Sequence, residues 1–176
     1  MHQRKEKKVI THKTIRIMKT TLTTTGLNDN VQVTNALAQL LAEFQVHYTN
    51  LRNLHWNIKG HGFFVLHEEY EKMYDDVATK IDEIAERLLQ LGKTPEHRFS
   101  AYLKQAQLSE LDVVTSGEKG LAYVLDALAV LIALERQVLS TAGDNGDEVT
   151  VAMMSDYLRE QEKSAWMLTA FATKPE

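Results

Sequence analysis

Three features are scarce in this chain, and each scarcity excludes a class of protein. No cysteine occurs among its 176 residues, which excludes disulfides, thiolate metal sites and cysteine nucleophiles. Only two prolines occur, Pro95 and Pro175, and an all-α fold is favoured because neither interrupts a long periodic segment. The longest strongly apolar stretch, residues 121–134, contains Asp126 and is too short to span a bilayer. We therefore expect a soluble, cytoplasmic, all-helical protein.

Apolar residues recur at helical spacing over four long segments. The pattern predicts helices over about residues 29–59, 65–91, 116–142 and 147–172. A fifth, short helix is expected over residues 99–106, within the long connection between the second and third helices. Four amphipathic helices of this length predict a four-helix bundle, with the short helix lying across its outside.

Capping residues support these helix boundaries. Asn28 or Asp29 is the expected cap of the first helix, and Ser116 that of the third. Gly92 and Gly143 are expected to end the second and third helices.

The segment around the second helix concentrates side chains that can bind a transition metal. In a helix beginning near Val65, residues 67, 71, 82 and 86 lie at about 0°, 40°, 60° and 100° around the axis, so they form one stripe. Mixed imidazole and carboxylate ligands suit an open iron(II) or zinc(II) site. The candidate ligands are His55, His67, Glu71, Asp82 and Glu86.

The spacing along the helix allows each chain only half of a site. His67 and Asp82 are 15 residues apart, or about 22 Å at roughly 1.5 Å per residue. If two copies of the helix pack antiparallel about a two-fold axis near residues 76–77, two identical sites form between the chains. His55 would join from the first helix, which the turn at residues 60–62 folds back towards His67.

Three short motifs in this segment closely resemble the Dps family, the mini-ferritins named as DNA-binding proteins from starved cells. They are H-W-N-x-x-G from His55, L-H-x-x-Y-E around His67 and I-D-x-x-A-E-R around Asp82. The resemblance implies a ferritin-like four-helix bundle and a homododecameric shell built from two-fold dimers. It also implies ferroxidase activity, in which iron(II) is oxidised, with hydrogen peroxide expected as oxidant, and iron(III) is stored. The iron would bind in pairs, and zinc could substitute for it.

The resemblance also assigns positions that surround the ligands. It places the metal at His55, His67 and Glu71 of one subunit with Asp82 and Glu86 of the two-fold partner. The family usually has aspartate where this chain has Glu71, and the extra methylene could move that carboxylate.

Neighbouring residues have two open interpretations. Lys80 and Arg87 are candidates for orienting the acidic ligands, but either could instead form a plain ion pair with Asp82 or Glu86. Trp56 is most simply a core residue, although it could also lie beside the metals. Near the junction of the third and fourth helices, an acidic cluster could attract iron(II) to a three-fold pore or simply cap the fourth helix. Its members are Asp144, Asp147 and Glu148.

Charge is distributed unevenly along the chain. Residues 1–19 carry seven Lys or Arg and one Glu, whereas the remainder carries 13 basic and 23 acidic residues. We expect residues 1–19 to be a flexible basic tail and residues 20–176 to be the bundle domain. The tail could bind DNA phosphates without sequence specificity. Its candidate contacts are Arg4, Lys5, Lys7, Lys8, Lys13, Arg16 and Lys19.

Other interpretations remain open. Met18 resembles an ordinary start, so residues 1–17 could be an upstream extension. An ordinary ferritin is disfavoured because none of the seven histidines has Glu three positions earlier, as a di-iron site within one bundle would need. The competing functions are a nucleoid-packing protein that acts through its basic tail, and a purely structural helical oligomer.

Overall fold

The computed structural model describes residues 30–173, which form five α-helices. Four of these helices are long, and the shortest of the four has 25 residues. The remaining helix, which is third along the chain, has only 7 residues. The predicted all-α, ferritin-like four-helix bundle with a short extra helix is confirmed. The predicted basic tail, residues 1–19, lies outside the described residues. The helices are α1 (Val31–Asn57), α2 (Phe63–Gln90), α3 (Phe99–Gln105), α4 (Gly117–Asp144) and α5 (Glu148–Ala172).

Side-chain caps begin three of the long helices, with Asn30 before α1, Ser116 before α4 and Asp147 before α5. Ser116 caps α4 as predicted, and its Oγ accepts from the N–H of Lys119. The cap expected at Asn28 or Asp29 is instead Asn30, because its Oδ1 reaches the N–H groups of the second and third helical residues.

The ends of α2 and α4 depend on glycine. Gly92 follows α2 with a φ of +81°, as expected for a residue that ends a helix. The expectation that Gly143 ends the third long helix is wrong, since α4 continues to Asp144. Gly146 adopts the left-handed conformation in its place, with a φ of +69°.

The core lies between the four long helices. α1 packs against both α2 and α4, while α4 packs against α5. Leu37, Leu51, Ile84, Leu131 and Met154, from all four helices, are completely or almost completely buried. No helix within residues 30–173 is long and apolar enough to cross a membrane.

Two buried polar residues of α1 hold the long connection against the bundle. The Glu43 carboxylate accepts hydrogen bonds from the backbone N–H groups of Gln107 and Leu108. Asn50 donates to the carbonyl of Ser109 and accepts from the N–H of Leu111. The short helix α3, which precedes these residues, also packs against α1.

Candidate metal centre

A tight turn brings His55 and His67 face to face. His55 lies in the last turn of α1, and His67 lies near the beginning of α2. Between them, Gly60 and Gly62 have φ values of +83° and +85°, which L-residues with a side chain rarely adopt. The two imidazole rings stack with their centroids 3.8 Å apart and their planes inclined by 17°. The predicted fold-back at residues 60–62 is therefore present.

Each of these histidines is oriented by the backbone of the other. Nδ1 of His55 lies 2.8 Å from the carbonyl oxygen of His67, and Nδ1 of His67 lies 2.8 Å from the carbonyl oxygen of His55. A carbonyl oxygen can only accept, so both Nδ1 atoms carry the proton and donate. A neutral imidazole then has its lone pair on Nε2, the atom that can bind a metal ion. The pair is thus chemically prepared as two nitrogen ligands.

The three acidic candidates lie further along the same helix and face solvent. Glu71, Asp82 and Glu86 are all exposed on α2, which is continuous from Phe63 to Gln90. None of the three forms an ion pair within residues 30–173. In that part of a single chain, no three His, Asp or Glu side chains come together closely enough to hold a metal ion. One chain therefore presents an oriented histidine pair and three exposed carboxylates that form no ion pair within residues 30–173.

The two basic residues near these acids are bound elsewhere. The buried ammonium of Lys80 lies 2.5 Å from Asp76 and 2.8 Å from Glu160. Arg87 is also buried, and its guanidinium lies 2.6 Å from Asp147. Neither contacts Asp82 or Glu86 within the chain, so the simple ion pairs considered for those acids are not formed. Lys80 and Arg87 instead tie α2 to α5.

Aromatic residues surround the histidine pair. Trp56 is 66% exposed, so its interpretation as a core residue is wrong. It follows His55 on α1, and the Arg52 guanidinium lies 5.2 Å from its ring centroid.

Sequence reasoning missed Tyr74, whose ring meets the His55 ring edge-on at 5.4 Å. Its hydroxyl donates to Glu71 across 3.4 Å. Tyr74 lies three residues after Glu71, and this spacing on a helix could have indicated from the sequence that the two side chains are neighbours.

The acidic cluster at the beginning of α5 divides into two kinds of residue. Asp147 caps α5 by accepting from the backbone N–H and the hydroxyl of Thr150, and it also binds Arg87. Asp144 and Glu148 are exposed. Capping therefore accounts for Asp147, while Asp144 and Glu148 have no such role within residues 30–173.

Comparisons with known proteins agree with this architecture. A family model described as a ferritin-like domain matches residues 34–176. The DNA protection during starvation protein of Porphyromonas gingivalis is 53% identical over 159 residues, covering 89% of this chain and all of that protein.

Solved structures show the same fold. A Dps protein from Vibrio cholerae O1, described as a member of a broad superfamily of ferritin-like diiron-carboxylate proteins, is 48% identical with a TM-score of 0.79, covering 80% of this chain and 89% of that one. Dps from Staphylococcus aureus is 29% identical with a TM-score of 0.79, covering 83% and 99%. The family match over most of the sequence and the shared fold show that the chain belongs to the Dps family of ferritin-like proteins.

Proposed function

We propose that this protein is a ferroxidase that oxidises iron(II) at sites shared between two subunits and stores iron(III) inside a dodecameric shell. The observation that carries the proposal is the reciprocal hydrogen bonding of His55 and His67. It leaves both Nε2 atoms as ligands at one end of a helix whose other end carries free carboxylates. Membership of a family with a solved member described as a diiron-carboxylate protein supports the same reading.

An antiparallel two-fold dimer would complete both sites. With the axis near Asp76 and Val77, the histidine end of one α2 lies beside the Asp82 and Glu86 end of the other. The continuous α2 and the exposure of its acids support this arrangement. Each completed site would have two imidazoles and three carboxylates, enough to bind two iron(II) ions as substrate, and zinc(II) would be a redox-inert substitute.

The ligand chemistry suits oxidation of iron(II) by hydrogen peroxide. Each iron(II) gives up one electron, and one peroxide takes up two electrons and two protons to form two waters. A pair of irons supplies both electrons together, which avoids the one-electron reduction that releases hydroxyl radical. Carboxylates favour the product because hard anionic oxygen stabilises the higher charge of iron(III), while imidazole retains iron(II). The reaction would protect DNA and other cell components from oxidative damage.

Anaerobic loading with iron(II), followed by peroxide, tests the proposal. The wild type is expected to form iron(III) rapidly by absorbance, whereas His67→Ala and Asp82→Ala are expected to fall to the rate of free iron. His97→Ala is the matched control, because the His97 side chain is 86% exposed and lies outside the proposed site. Size-exclusion chromatography must show an intact oligomer for every variant. Equal, background rates in all four proteins would refute the proposal.

DNA binding through the basic tail is a second candidate function. It is favoured by the seven Lys or Arg within residues 1–19. The Porphyromonas gingivalis relative is named for DNA protection during starvation, a role that DNA binding would also serve. Many tails on one shell would add their weak phosphate contacts. Deletion of residues 1–18 is expected to abolish gel retardation of DNA at low salt, while His67→Ala leaves it unchanged. Retardation that survives the deletion would refute this role of the tail.

A further inference from the structure

The carboxylate of Glu71 has one hydrogen-bond partner in the described part of the chain. The hydroxyl of Tyr74, three residues further along α2, donates to its Oε1 across 3.4 Å. Residues three apart on a helix are neighbours on the same face, so the two side chains lie together. Lys72, which lies between them in sequence, is paired with Glu68 on another face. Tyr74 is therefore placed to influence this one proposed ligand directly.

The ring of Tyr74 is held in place from α1. It packs edge-on against His55, with centroids 5.4 Å apart and planes at 81°. It also packs edge-on against Tyr48, with centroids 6.1 Å apart and planes at 84°, and the Arg52 guanidinium lies 4.7 Å from the Tyr48 ring centroid. Edge-to-face contacts of this kind determine the orientation of a ring. The hydroxyl thus occupies a position that packing between two helices defines.

The fixed Tyr74 hydroxyl restricts the conformations of the Glu71 side chain. An exposed glutamate samples many side-chain rotamers, and binding a metal requires that this freedom be lost. The bond from Tyr74 favours the rotamers that place Oε1 at the hydroxyl, and Oε2 remains free. A phenolic hydroxyl carries its proton at neutral pH, so Tyr74 can donate to Glu71.

We propose that Tyr74 is a positioning residue of the metal site, which preorganises Glu71 and thereby strengthens binding of the ion that Glu71 contacts. The inference rests on the proposed function, since it takes Glu71 to be a ligand. Whether the Tyr74 hydroxyl can reach the carboxylate depends on the length of the side chain at position 71. Aspartate at position 71 would withdraw the carboxylate by one carbon–carbon bond, roughly 1.5 Å, from a hydrogen bond that is already long.

The test compares four whole proteins, namely wild type, Tyr74→Phe, Glu71→Asp and the double variant. Anaerobic calorimetry with zinc(II) measures affinity, and the visible spectrum of added cobalt(II) reports ligand geometry. In the wild-type background, Tyr74→Phe is expected to weaken the binding of one ion roughly threefold to tenfold. This is the range for losing an ordinary hydrogen bond, because the 3.4 Å bond from Tyr74 to Glu71 is long. The cobalt spectrum is expected to shift. In the Glu71→Asp background, the same change is expected to alter neither quantity.

Each alternative outcome is distinguishable. The phenylalanine variant retains the ring, so fold and oligomer are expected to remain intact by circular dichroism and size-exclusion chromatography. An equal loss in both backgrounds would show that the hydroxyl acts through packing and not through Glu71, and would overturn the inference alone. No loss in the wild-type background would also overturn it alone. Failure of the wild type itself to bind zinc or cobalt would overturn the proposed function as well.

Discussion

Glu135 is a carboxylic acid in the interior of the bundle. Its side chain is completely buried on α4, and it accepts a hydrogen bond from Gln161 on α5 through Oε1. Its second oxygen has no hydrogen-bond partner among residues 30–173. Burial raises the pKa of Glu135 from 4.5 to about 8, because a charged carboxylate is poorly solvated there. At neutral pH, the folded protein therefore keeps this group mostly protonated.

At the scale of this residue, Glu135→Gln is expected to change how stability depends on pH. Between about pH 4.5 and pH 8, the folded state binds more protons at this position than the unfolded state. The contribution of Glu135 to the free energy of unfolding therefore falls as pH rises through that window. Glutamine has the same shape but does not titrate. Between pH 5 and pH 9, the free energy of unfolding of the variant should therefore rise by a few kcal/mol relative to that of the wild type.

Thermal unfolding of both proteins at pH 5 and pH 9 measures this effect. The difference between the two melting temperatures is the relevant quantity, because all other titrating groups are common to both proteins. A difference that does not change with pH would show that Glu135 titrates normally in the folded protein.

At the scale of the element, the helical glycine Gly120 lets α4 approach α1 and α2 closely. A Cβ built on Gly120 would lie 2.7 Å from the Tyr70 hydroxyl oxygen and 3.3 Å from a methyl carbon of Leu54. Both neighbours are completely buried, so neither can move into solvent. The missing side chain at Gly120 therefore allows close packing, although glycine in a helix ordinarily costs stability.

Gly120→Ala is accordingly expected to destabilise the protein, by about 1–3 kcal/mol, because overpacking outweighs the better helix propensity of alanine. Gly143→Ala in the same helix is the matched control. A Cβ there meets only Val151 at an ordinary distance of 3.9 Å, so propensity should stabilise by up to about 1 kcal/mol. Chemical denaturation measures the change in the free energy of unfolding for each variant, which is expected to fall for Gly120→Ala and to rise for Gly143→Ala. Stabilisation by both substitutions would contradict the packing argument.

At the scale of the whole molecule, the proposed sites depend on which side of the dimer each ligand comes from. A subunit with His67→Ala still carries intact Asp82 and Glu86, and a subunit with Asp82→Ala still carries the histidine pair. In a mixed dimer, one site would hold both defects and the other would be complete. Subunit mixing therefore separates a shared site from a site within one chain.

Co-expression of the two variants is expected to restore iron oxidation. Random pairing makes about half of the dimers mixed, so about a quarter of all sites would be intact. The measurement is the initial rate of iron(III) formation in shells carrying two different affinity tags.

The control pair is His67→Ala with Glu71→Ala. Both changes lie on the histidine side of the site, so every site in a mixed dimer remains defective and no recovery is expected. Recovery in the control pair, or none in the first pair, would contradict the proposed assignment of ligands to subunits.

Much of the architecture could be predicted from local patterns. Within residues 30–173, apolar spacing located the four long helices, and the length of the connection indicated the short one. The Ser116 cap and the Gly92 terminus follow from preferences of the residues themselves. The first cap was misplaced by one or two residues, and Gly143 was wrongly expected to end a helix. Several similar residues compete at such boundaries, and only their final geometry selects one.

The candidate site was predictable in part. The stripe of ligands follows from helical spacing, and the fold-back of His55 onto His67 follows from glycine at positions 60 and 62. Tyr74 was missed because its role arises from contacts with α1. Of the two interpretations of Trp56, the core residue is wrong, because an apolar pattern alone does not show whether a helix face is covered.

The sequence by itself determined which segments are helical and which side chains share a face, because periodicity, caps and glycine turns act over a few neighbouring residues. Only the tertiary structure decided that His55 and His67 orient each other through their carbonyl oxygens, and that Arg87 binds Asp147 sixty positions away. It also decided that Glu135 is buried beside Gln161. Such contacts depend on how distant elements pack, and packing is a property of the assembled core.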